Sequence, residues 1–205
     1  MMSLLAKYFA WMLPSRVELH ASEICPECGS QLAREANAAL ASAAWLCPNP
    51  DCPPQVMKRL ELWVSPAAMD IPGCDTALVA QLVQRGLVYD AAEFYRLKLK
   101  ELEAVPGLEK PAAQKLFETI AASKKREAWR VLFGLGIPNI GVREAQTLCQ
   151  YFATLDSLFA TERERLLKLA GVTEVMARSL THWQSDPVNR KLVRQLENAG
   201  VNFKT

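Results

Sequence analysis

The sequence has little net charge, only two histidines, and no long apolar run. A formal net charge of +2 over 205 residues is mildly basic. It permits nucleic-acid binding without arguing for it. His20 and His182 have no partners at metal-ligand or catalytic-triad spacing, so both are read as incidental. The opening "MMSLLAKYFAWML" is apolar but interrupted by Lys7, and it is too short to span a bilayer. It lacks a basic leading region and a small-residue cleavage site, which argues against a signal peptide. An amphipathic helix plus linker is expected over residues 1–22. With no export signal, the expected location is the bacterial cytoplasm, associated with the nucleoid and with no membrane partner. In that reducing compartment clustered thiols serve as metal ligands more often than as disulfides.

What is present starts with apolar residues, half of the chain, enough for a core in one or two domains. Charge is unevenly placed. Residues 1–70 carry five Lys/Arg against seven Asp/Glu, leaving nineteen against fifteen for residues 71–205. A phosphate-binding surface is therefore expected in the second part. Four of the six cysteines lie in "CPECGSQLAREANAALASAAWLCPNPDC", as Cys25-x2-Cys28 and Cys47-x4-Cys52. Four thiolates fill a tetrahedral Zn²⁺ shell and leave no open position, so the predicted site is structural. Pro26, Pro48 and Gly29 are turn residues that let each pair of sulfurs face one ion. Two disulfides or four unrelated thiols are the alternatives. Cys74 and Cys149 stand alone in helical surroundings and are read as small core residues.

From Gln55 onward strand patterns nearly vanish. "QVMKRLELWV", "AAQKLFETIAASKK" and "RKLVRQLENAG" place apolar residues at helical spacing. Four segments align: "IPGCDTALVAQL" from Ile71, "VPGLEKPAAQKL" from Val105, "IPNIGVREAQTL" from Ile137 and "LAGVTEVMARSL" from Leu169. An aliphatic residue opens each one. Two positions on stands Gly73, Gly107, Asn139 or Gly171, types that tolerate positive φ. Next comes Cys74, Leu108, Ile140 or Val172. A compact residue follows (Val79, Ala113, Ala145, Ala177), and three positions later a leucine (Leu82, Leu116, Leu148, Leu180). That spacing is one face of a helix, where the compact residue lets a neighbouring helix come close. The pattern predicts helix, tight hairpin, helix, four times over. A generic helical array with no ligand is the alternative.

The zinc-type module followed by four such units resembles the C-terminal half of bacterial NAD-dependent DNA ligases. The likeness is carried by "CPNPDCPPQVMKRLELWVSPAAMDIPG", "AAQKLFETIAASKKREAWRVLFGLGIPNIG" and "VNRKLVRQLENAGVNF", and it covers about residues 23 to 203. "LPSRVELHASEI" resembles the family's linker into the zinc finger. The resemblance implies a mainly α fold: a small four-cysteine zinc finger with a short β-ribbon over residues 23–56, then a four-unit helix-hairpin-helix domain over 57–205. It implies a structural Zn²⁺ on Cys25, Cys28, Cys47 and Cys52, and a place in DNA replication and repair.

In that family hairpin N–H groups, with a helix N-terminus behind them, grip duplex DNA phosphates across the minor groove without sequence preference. Carried onto this chain, the DNA-contacting residues are Asn139, Ile140, Gly141, Val142 and Arg143, with Gly107, Lys110, Lys115, Gly171 and Thr173. Two departures stand out. The adenylation domain and OB-fold that precede the zinc finger in the family, and its BRCT domain, find no room in these 205 residues. This chain alone is thus expected to hold no NAD site and no catalytic residue, and neither to form an adenylate nor to seal a nick. A separate adenylation chain is a candidate partner. In addition, the family's phosphate-contacting glycine column reads Asp75, Glu109, Gly141 and Thr173, so only the third hairpin is expected to keep an open amide. Asp75 and Glu109 are expected to cap their own helices. Acids there also suit a protein-interaction scaffold, the alternative function. "SKKRE" at 123–127 is read as a solvated charge cluster. Trp45, Trp63, Trp129 and Trp183 are read as core residues rather than base-stacking platforms.

Overall fold

The computed structural model describes residues 24–35 and 44–205. The expected helix over 1–22 lies outside them. The chain divides into two compact units at Cys52/Pro53.

In the first unit, strands β1 (Ala33–Glu35) and β2 (Ala44–Leu46) form an antiparallel ribbon in the register Ala33↔Leu46, Arg34↔Trp45, Glu35↔Ala44. Each cysteine pair lies just beyond one strand, so pairing the strands brings the two pairs together.

The second unit is helical: α1 (Pro53–Val64), α2 (Thr76–Gln84), α3 (Leu99–Glu103), α4 (Lys110–Ser123), α5 (Ala128–Gly134), α6 (Val142–Cys149), α7 (Leu155–Phe159), α8 (Arg163–Leu166), α9 (Glu174–Ser185) and α10 (Pro187–Asn198). Helix α1 starts with Pro53 and Pro54, where the missing N–H groups would have no helical partner anyway. It buries Val56, Leu60, Trp63 and Val64, one face at helical spacing. Helix α10 has Pro187 in its first turn, and Asp186 accepts from the Val188 N–H at 2.8 Å.

The four aligned segments adopt one local geometry. In each turn the third residue has positive φ: Gly73 +86°, Gly107 +80°, Asn139 +62°, Gly171 +82°. The fourth residue donates its N–H to the carbonyl of the first: Cys74 to Ile71 at 3.2 Å, Leu108 to Val105 at 3.2 Å, Ile140 to Ile137 at 3.1 Å, Val172 to Leu169 at 3.2 Å. With proline second in the first three, this is the pattern of a type II turn. Val79, Ala113, Ala145 and Ala177 then donate to the carbonyls of Asp75, Glu109, Gly141 and Thr173, closing the first turn of the following helix. The compact and leucine columns are all buried, at 2% exposure or less. Burying each leucine contributes roughly 2 kcal/mol. The helix before each turn packs on the helix after it: α1 on α2, α3 on α4, α5 on α6, α8 on α9.

Neighbouring turns are laced together in pairs. Thr119 of α4 donates to the Pro72 carbonyl of the first turn at 3.4 Å. At the equivalent place Tyr151, just after α6, donates to the Ala170 carbonyl of the fourth turn at 3.1 Å. Gly134 allows α5 to approach α1 closely: a Cβ there would lie 2.9 Å from the Trp63 ring. Asn202 ties the last residues to the link between α4 and α5, its N–H on the Lys124 carbonyl at 2.8 Å and its Nδ2 on the Arg126 carbonyl at 3.1 Å. Trp63 belongs to the core as expected, and Trp129 and Trp183, half-buried, pack against it. Trp45, on β2, is 38% exposed, contrary to the expectation that it belongs to the core.

Candidate functional site

The first candidate site is the cysteine cluster. Gly29, at φ +70°, donates to the Cys25 carbonyl at 2.9 Å, and the Cys25 N–H donates to the Ser30 carbonyl at 2.7 Å. These bonds curl the chain so that Cys25 and Cys28 face the same way. The second pair turns at Asn49, whose carbonyl accepts from Cys52 at 3.1 Å and whose Oδ1 accepts from Asp51 at 3.0 Å. All four Sγ atoms lie within 4.8 Å of one another. Cys25 and Cys52 sulfurs are 3.7 Å apart, and those of Cys28 and Cys47 3.5 Å.

A disulfide needs about 2.05 Å. A tetrahedron with bonds of about 2.3 Å has edges of about 3.8 Å, close to the separations seen. None of the six cysteines is in a disulfide, so the disulfide alternative falls away. The electrostatics suit a cation as well. Hydrogen bonding with Ser30 draws the Cys28 thiol down to about 6. Burial, with the crowded neighbouring thiols, pushes Cys52 up to about 12, and burial also raises Cys47. Only a bound cation lets four such crowded sulfurs ionise together. Cys25, Cys28, Cys47 and Cys52 would hold Zn²⁺ with no position left for water, which makes the site structural.

The second candidate site is the set of hairpin turns, and the four differ in what fills their amides. In the first, Asp75 Oδ1 accepts from the Leu78 N–H at 2.8 Å, a helix cap worth about 1 kcal/mol. In the fourth, Thr173 Oγ1 accepts from the Met176 N–H at 3.3 Å, and Arg163 of α8 pairs with Glu174. In the second, Glu109 holds the cap position but its side chain makes no capping bond, contrary to expectation. Gly107, Lys110 and Lys115 are exposed beside it.

The third hairpin departs from expectation at its central residue. The Gly141 N–H is not open: it donates to Glu144 Oε2 at 3.1 Å. A glycine cap offers no side chain to the helix, but a glutamate three residues on reaches back, which is half of a capping box. The spacing within "GVRE" carries that signal in the sequence itself. Ile140 is 4% exposed and its N–H is spent inside the turn, so its side chain supplies no surface contact. Gly141 and Val142 are half-buried, and Asn139 and Arg143 are exposed. The Val142 and Arg143 N–H groups have no hydrogen-bond partner among the described residues, as the first amides of a helix do not. Asn139 donates from Nδ2 to Ser179 of α9 at 2.9 Å, and Gly171 and Thr173 lie in the fourth turn that α9 follows. Among the described residues no helix is long and apolar enough to cross a membrane.

Both sites have counterparts in known proteins. Residues 25–53 match the NAD-dependent DNA ligase C4 zinc finger domain family, and residues 130–193 match the helix-hairpin-helix motif family. The chain is 37% identical over 189 residues to a DNA ligase of Synechococcus sp. (strain JA-3-3Ab), covering 92% of this chain and 27% of that protein. A DNA ligase of Methylacidiphilum infernorum (isolate V4) is 37% identical over 186 residues, 91% of this chain and 26% of its own. DNA ligase 2 of Deinococcus deserti is 36% identical over 178 residues, 87% and 25% respectively. The chain therefore spans about a quarter of the length of the curated relatives it matches. Nearly throughout, it is similar to the zinc-finger and helix-hairpin-helix part of NAD-dependent DNA ligases.

Proposed function

We propose that this chain is a non-catalytic DNA-gripping module of an NAD-dependent DNA ligase-like protein, built from a zinc finger (residues 23–56) and four helix-hairpin-helix units (57–205). It binds duplex DNA through phosphates on the minor-groove side, without sequence preference. The observation that carries this reading is the third hairpin, where the Val142 and Arg143 amides are unpartnered among the described residues and the Arg143 side chain is exposed. Phosphates carry no base code, so such contacts read no sequence. Lys110 and Lys115 beside Gly107, and Gly171 with Thr173, add weaker contacts. Zn²⁺ on the four cysteines holds the finger's shape and takes no part in chemistry.

Fluorescence anisotropy with a labelled duplex tests this. Binding is expected at low salt, equal for unrelated sequences, and falling steeply as salt rises. A folded, zinc-loaded chain that shows no binding even at low salt overturns it. In that case a protein-interaction scaffold is the better reading. The capped first and fourth hairpins favour that alternative, since Asp75 and Thr173 already occupy helix amides there.

A further inference from the structure

We infer that Glu144 is an intramolecular competitor for the phosphate at the third hairpin, and that it sets how tightly this module holds DNA. The inference rests on the DNA-binding reading above and concerns the same site. Glu144 Oε2 accepts from the Gly141 N–H at 3.1 Å. It also fills the room that the missing side chain leaves, because a Cβ on Gly141 would lie 2.8 Å from that oxygen. A carboxylate oxygen thus occupies the space a phosphate oxygen would need, and its charge repels one nearby.

The other occupied hairpins differ in kind. Asp75 and Thr173 are short side chains at the cap position, and they bond to an amide three residues into their own helices. Glu144 reaches back from inside α6 on a side chain with three rotatable bonds, half-exposed to solvent. Rotating it outward frees the Gly141 amide and moves the charge away without disturbing the helix. DNA binding therefore includes one extra step at this hairpin: the carboxylate leaves and the phosphate takes its N–H. Part of the intrinsic affinity is spent on that exchange.

Two variants separate charge from capping. Glu144→Gln keeps an oxygen that accepts from Gly141 but removes the charge. Glu144→Ala removes both. Duplex DNA affinity at low salt is measured for each beside the wild-type chain, together with helical content. Glu144→Gln is expected to tighten binding by about threefold to tenfold, and Glu144→Ala by at least as much. In the wild-type chain the Gly141 amide resonance should shift on adding DNA as its partner changes. Binding that is unchanged or weaker in both folded variants overturns the inference and leaves the DNA reading standing. No binding in wild type or either variant overturns the DNA reading, and the competitor role falls with it.

Discussion

Asn139 of the third hairpin and Ser179 of α9 are joined by a 2.9 Å hydrogen bond from Nδ2 to Oγ. The bond fastens the third turn to the helix that follows the fourth. Asn139 also carries φ of +62°, a conformation that an ordinary L side chain resists. Asn139→Ala should therefore lose about 1–2 kcal/mol of stability, from backbone strain plus the missing bond. Asn139→Gly relieves the strain and should lose less. Urea unfolding of both variants, compared at equal slope, checks the order.

The zinc finger and the helical unit should respond separately to metal removal. A strong chelator is expected to abolish the finger's fold, since classical zinc fingers are unfolded without metal. Helical circular dichroism from residues 53–205 should persist. Cys52→Ser should bring zinc content to near zero by elemental analysis while helix content stays.

Thiol chemistry should divide the six cysteines into four and two. Burial pushes Cys74 up to about 12 and Cys149 up to about 11. At pH 8 few Cys149 side chains are therefore in the reactive thiolate form. After chelation four thiols should react quickly with a disulfide reagent and two slowly, the slow pair accelerating as pH rises. All six should react fast once the chain is unfolded.

At Gly134 the Trp63 ring leaves no room for a side chain, since a Cβ there would lie 2.9 Å from it. Gly134→Val should lose about 2 kcal/mol or more by forcing α1 and α5 apart. Helix propensity alone would favour the change, so the sign of the effect in thermal unfolding decides.

Arg143→Ala should weaken duplex binding for every sequence alike and reduce the salt slope by about one. Gly141→Glu adds a carboxylate beside the unpartnered amides and should weaken binding more than any change at Asp75 or Glu109. Equal effects at all four hairpins would sink the single-hairpin idea.

Much was legible from residue types in register. A glycine or asparagine at the third turn position, a compact residue eight places after the opening aliphatic and a leucine three later are local steric demands. Local demands can be read from a linear string. The cysteine spacing likewise announced a four-sulfur cluster, whereas the ribbon over Ala33–Glu35 and Ala44–Leu46 was expected only from the family resemblance.

What stayed hidden depended on partners distant in sequence or on competition for one group. Trp45 and Trp63 look alike as apolar tryptophans, yet one is 38% exposed on β2 and the other is buried against Gly134 of α5. Glu109 stands where a cap belongs and makes no capping bond, while Glu144 occupies an amide that the glycine column marked as open. The sequence alone determined that four hairpins and a four-thiol cluster would form, because backbone sterics and ligand spacing are local. Only the tertiary structure decided which side chains meet across the chain, as Asn139 meets Ser179 and Gly134 the Trp63 ring, because such contacts need three-dimensional proximity rather than spacing.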